Sequence, residues 1–190
     1  MFNRDQLVNL FLEKNKEINL SAIRDTQWVR IKHIQDSLEL ENLVQRKPWI
    51  NVVDVWTGGW FPLMPLAISH PECNFVWVDS VRKKTIAVWE ILSKLWVENV
   101  EMIWSRIEDI KGKQFDVVTA RAVAYADKLI DWVFPITKKW WTIFLMKQEC
   151  GEEKEILLKK IKEKKLIFKK EHHYKLFDDD INRVVYIIQK

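Results

Sequence analysis

A strand that breaks into glycines and then feeds a helix is the arrangement by which α/β folds cradle phosphates and nucleosides. One stretch of this sequence has that form. Residues 50–55 are apolar and β-branched around Asp54, Trp56-Thr57-Gly58-Gly59-Trp60-Phe61-Pro62 follows, and a helical run begins near Leu63. Roughly 20 residues beyond the loop, a second strand (74–79) ends on Asp79, where a carboxylate can accept hydrogen bonds from ribose hydroxyls. The competing reading of Asp79 is a cap for the helix that starts near Arg82. Trp56 and Trp60 conflict with the cradle, because such a turn needs residues without a side chain if the backbone is to bend sharply and approach a ligand. With glycine at both positions the loop would read Asp-Val-Gly-Thr-Gly-Gly-Gly-Phe-Pro.

Composition points the same way. At about 7% glycine, a chain of this length should carry about 13; it has 4, alongside 11 Trp. Trp96 stands after Lys94-Leu95, where a helix should stop and a left-handed glycine usually caps it. Trp140-Trp141 follow Lys138-Lys139 and precede a strand, where a Gly-Gly turn would be ordinary. These positions predict that the stop codon UGA, reassigned to glycine in some bacterial lineages, has been read as Trp. A chain genuinely rich in Trp would have to set adjacent indoles in turns and two more in a ligand loop.

Other groups able to do chemistry gather at predicted strand ends, where open α/β sheets bind ligands. Strand 100–104 leads to Ser105-Arg106-Ile107-Glu108-Asp109, strand 115–119 to Arg121, and strand 142–147 to Lys147. Arg121 and Lys147 bring positive charge suited to a phosphate or carboxylate. Within Lys32-His33-Ile34-Gln35-Asp36-Ser37-Leu38, His33 and Asp36 are three apart and share a helix face, which by itself describes an ordinary surface pair. Eight lysines between 154 and 170 could be an RNA footprint; the commoner origin of such a run is a solvated helix face, and that reading is preferred.

The elements that must position these groups alternate. Helices are predicted at 4–15 and 26–44; from residue 50, strands at 50–55, 74–79, 100–104, 115–119, 142–147, 166–173 and 183–189 alternate with helices near 62–69, 82–95, 126–134 and 151–164. The pattern predicts an α/β fold: a mostly parallel, Rossmann-like sheet with helices on both faces. The last two strands, joined by a short turn-rich link, should form an antiparallel pair at one edge. One domain spanning 1–190 is expected, with a helical N-terminal cap (1–45) ahead of the sheet (46–190).

Charged residues are 31% of the chain, hydrophobic ones 48%, and the net charge is +4, which allows a nucleic-acid partner without demanding one. Cys73 and Cys150 form neither metal spacing nor a disulfide framework, consistent with a reducing cytoplasm. No apolar run approaches membrane-spanning length. An NAD-dependent oxidoreductase would share the opening architecture but lacks a matching catalytic His or Tyr-Lys constellation.

Taken in order, Asn19-Leu20-Ser21-Ala22-Ile23-Arg24-Asp25, Lys32 to Leu38, the Asp54 to Pro65 loop, Val78-Asp79-Ser80 with Arg82-Lys83, Ser105-Arg106-Ile107-Glu108 and Ala120-Arg121-Ala122 resemble the RsmG (GidB-like) family. These are bacterial guanine-N7 methyltransferases of small-subunit (16S) ribosomal RNA, and the resemblance covers nearly the whole chain. It implies a Rossmann-like methyltransferase that uses S-adenosylmethionine (SAM), acts on 16S rRNA or the small ribosomal subunit, needs no metal and works as a cytoplasmic monomer. The family has glycine at the positions of Trp56, Trp60, Trp140 and Trp141, and commonly at Leu63. The resemblance further implies that Asp54, Trp56, Gly58, Gly59, Trp60 and Phe61 form the cofactor loop, with position 56 and Phe61 along the methionine part. Asp79 would hold the ribose, and Ile107 with Glu108 would bracket the adenine. Arg121 would face cofactor and base and, with Lys147, carry catalysis, while Lys32, His33 and Asp36 shape the RNA site. If Trp56 and Trp60 are genuine, the alternative is a non-catalytic RNA-binding or ribosome-assembly module.

Overall fold

The computed structural model describes residues 4–44, 48–55, 60–121, 125–177 and 180–190. Strands β1 (Asn51–Val55), β2 (Asn74–Asp79), β3 (Val100–Trp104), β4 (Phe115–Arg121), β5 (Thr137–Gln148), β6 (Ile167–Tyr174) and β7 (Arg183–Gln189) form one sheet in the order β3-β2-β1-β4-β5-β7-β6. The first five pair in parallel, and β7 lies antiparallel between β5 and β6. This is the Rossmann-like sheet expected, with the antiparallel pair at its edge.

Alternation along each strand feeds two cores. Val52, Phe75, Trp77, Val117, Phe144 and Ile187 turn to the face covered by α1 (Arg4–Ile18), α4 (Leu63–Ser69) and α5 (Arg82–Lys94). Val53, Val55, Val78, Val118, Ile143 and Ile188 turn to the other face, under α6 (Ala126–Val133) and α7 (Gly151–Glu163). Single-residue steps between faces are what the period of two dictates.

The predicted second helix is shorter and less regular than its apolar spacing suggests. It runs as α2 (Thr26–Val29), a π-helical turn (Arg30–Gln35) and α3 (Asp36–Leu38). Asp25 starts it by accepting the Gln27 and Trp28 amides on Oδ1 at 2.8 and 3.1 Å, a cap that contributes about 1 kcal/mol. Ahead of it, buried Asn15 braces the connector: its Nδ2 donates to the Ser21 and Ile23 carbonyls, and its Oδ1 accepts the Ser21 amide at 2.8 Å. The segment 19–25 is therefore fixed from both sides and delivers Ser21 and the π turn to the sheet edge.

A second departure concerns β5, which begins at Thr137 rather than 142. Between the pairs Phe115–Thr137 and Val117–Thr142 the register slips, so β5 carries a bulge. Trp140 sits in it at φ 70, its amide donating to the Lys190 carbonyl. A bulge with a left-handed residue is a place for glycine; the pair is thus a bulge inside a strand rather than a turn before one.

Candidate active site

The C-terminal ends of the parallel strands meet on one edge. Because β7 runs backwards, its first residue, Arg183, lies on that same edge, and β6, reversed again, ends there with Tyr174. Arg121, the last residue of β4, holds the centre. Its Nη1 donates to the Lys32 carbonyl at 3.0 Å and to Asp36 Oδ2 at 2.9 Å, and its Nη2 lies 3.2 Å from His33 Nδ1. Asp36 is buried, and its second oxygen accepts the Tyr174 hydroxyl at 2.8 Å, with Arg183 Nε at 3.6 Å. One carboxylate thus joins the helical cap to three strands.

These contacts settle the state of His33. A guanidinium only donates, so Nδ1 accepts, and the ring proton stays on Nε2, which donates to Ser21 Oγ at 2.9 Å. Burial, reinforced by the Arg121 charge, lowers its pKa to about 3. The neutral ring stacks on Phe61 with centroids 4.6 Å apart. Burial chiefly, and then the Asp36 charge, pushes the Tyr174 hydroxyl well above its ordinary range, so it stays a donor.

Lys32, His33, Asp36, Arg121 and Lys147 all line one cavity of 460 Å³. Tyr174, Arg183, Gln148, Met146 and Glu153 complete its wall and were not anticipated. The signal for two of them was present: an antiparallel pair of final strands must return its connecting ends to the binding edge. Lys147 is buried and its Nζ pairs with Glu153 Oε1 at 2.7 Å.

The other predicted residues lie elsewhere along the edge. Asp54 is fully buried, and its Oδ1 accepts the Thr119 hydroxyl at 2.7 Å, tying β1 to β4 below the loop. Asp79, at the end of β2, accepts the Val81 amide on Oδ1 at 2.7 Å, and burial raises its pKa. The helix after it is capped from Val81, so Asp79 makes a local turn. Ile107 and Glu108 form a 3-10 turn beyond β3, the first buried and the second exposed. Trp56, Gly58 and Gly59 lie outside the described residues.

Phe61 and Trp60 are both buried, and both meet Phe11 of α1 edge-on at 5.4 and 5.3 Å. The Trp60 indole therefore points into the core, and its Nε1 is buried without a hydrogen-bond partner. Its backbone is left-handed, at φ 75. Among the described residues six non-glycines have positive φ, and four of them are Trp: 49, 60, 96 and 140. Bulky side chains rarely adopt that conformation. At Trp96 the Schellman pattern is complete, with the Trp96 amide donating to the Ser93 carbonyl and the Val97 amide to the Leu92 carbonyl.

A larger hollow of 680 Å³ at the far end of β5, beside Trp140, Trp141, Lys169 and Lys170, contains none of the predicted site residues. Within the lysine run, Lys154 pairs with Glu171 and both Lys160 and Lys164 pair with Asp131, so part of it ties α7 to its neighbours. Among the described residues no group of three or more His, Cys, Asp or Glu is placed to hold a metal, and no helix is long and apolar enough to cross a membrane.

Comparison with known proteins agrees with this geometry. The chain resembles a SAM-dependent methyltransferase from Aquifex aeolicus (TM-score 0.67, 16% identity, covering 94% of this chain and 98% of that one). It also resembles a ribosomal protein L11 methylase from Lactobacillus delbrueckii subsp. bulgaricus (TM-score 0.66, 13% identity, 84% and 78%). In sequence it is 36% identical over 188 residues to ribosomal RNA small subunit methyltransferase G of Thermoanaerobacter sp. (strain X514), covering 95% of this chain and 78% of that protein. It is 35% identical over 146 residues to the protein of the same name from Vibrio atlanticus (strain LGP32), 75% and 68%. The model of the GidB family, rRNA small subunit methyltransferase G, matches residues 3–184, and the chain belongs to that family.

Proposed function

We propose that this protein transfers the methyl group of SAM to N7 of a guanine in 16S rRNA, as a cytoplasmic monomer acting on the RNA or the small subunit. The observation that carries the reading is what the cavity wall holds. Arg121 is fixed at its centre, while His33, the one side chain of ordinary near-neutral pKa on its wall, is neutral with its Nδ1 lone pair already engaged. Guanine N7 has a lone pair and no proton, so its alkylation requires positioning and charge rather than a base.

The residues present fit SAM. Asp79 offers a carboxylate at the end of β2 for a ribose, and Ile107 with Glu108 offers an apolar and a polar neighbour for an adenine. When bound, SAM supplies an electrophilic methyl on a sulfonium. Arg121, on the strand adjoining β1, orients the incoming base; the walls of Tyr174, Arg183 and Lys147 keep it in place.

Trp60 bears on this reading, and we propose that positions 56, 60, 140 and 141 are glycine in the protein its own cell makes, together with 49 and 96. A left-handed, buried Trp60 with an orphaned indole N–H is what a glycine position looks like when another residue fills it. UGG codons at these positions in the coding DNA would exclude this.

The test uses two chains, one with glycine at 56 and 60 and one as given. Incubated with SAM and unmodified small subunits, the glycine form should introduce one site cleaved by borohydride and aniline, the signature of the cationic ring left by N7 methylation. It should also bind SAM measurably more tightly by calorimetry. Methyl incorporation that resists this cleavage would place the reaction on another atom; equal SAM affinities would remove the glycine argument.

A further inference from the structure

Resting on the N7 reading above, we infer that Glu153 is the residue that selects guanine, accepting hydrogen bonds from N1–H and the 2-amino group of the target base. N7 itself cannot provide that selection, because adenine carries the same lone pair at the same place. Discrimination has to come from the opposite edge of the purine, where guanine presents two adjacent donors and adenine presents an acceptor at N1.

Two carboxylates line the cavity. Asp36 has both oxygens engaged, Oδ2 by Arg121 and Oδ1 by the Tyr174 hydroxyl, with Arg183 Nε also close to Oδ1. Glu153 is different. It stands in the first turn of α7, its Oε1 meets Lys147 Nζ at 2.7 Å, and its side chain remains 18% exposed where Lys147 is 6% exposed. An ionised carboxylate can accept about four hydrogen bonds, so capacity remains after Lys147 is bonded. Lys147 also fixes the direction of the group, as a recognition carboxylate requires.

Position along the sheet sets the pairing. Asp79 ends β2, and the edge continues through β1, Arg121 on β4 and Lys147 on β5. Neighbouring strands lie about 4.8 Å apart. A guanine that presents N7 toward β1 turns its N1 and 2-amino edge toward β5 and the start of α7, where Glu153 stands. An adenine in the same pose would set its N1 lone pair against the carboxylate, a repulsive contact that rejects it. The arrangement also requires the target guanine to be unpaired when bound, since its pairing edge is in use.

The test exploits inosine, which keeps N7 and N1–H but lacks the 2-amino group. The methylated position is first mapped with the form carrying glycine at 56 and 60, which serves as the wild type, and subunits are then prepared with guanosine or inosine at that position. The wild type should lose about 10- to 100-fold in kcat/KM on inosine, the loss of one hydrogen bond to a charged group. Glu153→Gln should lose a similar factor on guanosine but change little further on inosine, so the preference between the two collapses. SAM affinity should be unaltered in the variant. A merely structural role would lower both substrates equally, and that result overturns the assignment; so does a wild type indifferent to inosine, which needs no variant to observe. A wild type that methylates guanosine at an atom other than N7 would overturn the underlying reading, and this inference with it.

Discussion

Among the described residues from β1 to β3, the binding edge is bonded mainly to its own backbone: Asp79 accepts the Val81 amide, Trp104 Nε1 donates to the Ser80 carbonyl, Ile107 is buried and Glu108 is exposed. From β4 to β6 charged side chains hold one another, with Arg121, Asp36, Tyr174 and Arg183 meeting at one carboxylate and Lys147 bonded to Glu153. On the proposed reading, the first half leaves its polar groups for a ligand that brings many of its own. The second fixes its charges in advance, as a site must when its contribution is electrostatic and reorganisation would reduce it. The halves should therefore respond differently to the loss of one side chain.

Arg121→Ala gives the largest effect. Methyl transfer should fall at least about 100-fold, and folding stability should fall by about 3 kcal/mol, because buried Asp36 loses its closest cation. The three partners of Arg121, the Lys32 carbonyl, His33 and Asp36, make it a structural tie as well as a mouth residue. Arg121→Lys should not restore activity, since one ammonium cannot reach all three acceptors in the same geometry. Chemical denaturation matching the wild type would show the network to be loose, and the contrast between the halves would disappear.

Asp79→Ala probes the first half. SAM should bind about 1–3 kcal/mol more weakly, stability should change little, and RNA affinity should hold. Calorimetry with each ligand separates these, and a collapse of RNA affinity alone would reverse the assignment of the halves.

Acid tests the network without mutation. His33 has a folded pKa of about 3 against 6.5 for the unfolded chain, so below pH 6.5 the unfolded state binds the extra proton. Stability is therefore present above pH 6.5 and lost as pH falls, by about 2 kcal/mol between pH 6.5 and 5, and His33→Gln should flatten that slope. The rate should show no inflection from His33 near pH 6.5.

A position outside both halves sets the baseline. Trp96 is 86% exposed in a left-handed cap, so Trp96→Gly loses little packing and relieves backbone strain. It should stabilise by about 1 kcal/mol, raising Tm by about 2–4 °C. Lys165 occupies the same kind of cap after α7, which shows that a side chain there is tolerated, and Lys165→Gly should gain less.

Much of the fold was legible because local pattern carried it: β2, β3 and β7 occupy the residues their apolar runs suggested, and the alternation of strands and helices gave the sheet. The π turn at 30–35 was not legible, since apolar spacing over so short a segment cannot separate it from an α-helix. The early start of β5 was hidden by the tryptophans in its bulge. At the cavity, His33 and Asp36 belong to a recognisable run and could be named from it. Tyr174, Arg183 and Glu153 could not, because each is a single side chain whose role arises only when distant segments meet.

The meeting at Asp36 has a consequence for how the protein is made. Its partners come from β4, from the end of β6 and from the start of β7, while Asp36 belongs to the cap, which the ribosome synthesises early. During translation the cap and the first four strands can assemble as they emerge. Until Arg183 has followed, the nascent chain carries its first four strands beside an open seam. The Asp36 seam therefore closes only once synthesis has reached β7, whatever the order in which the earlier pieces fold.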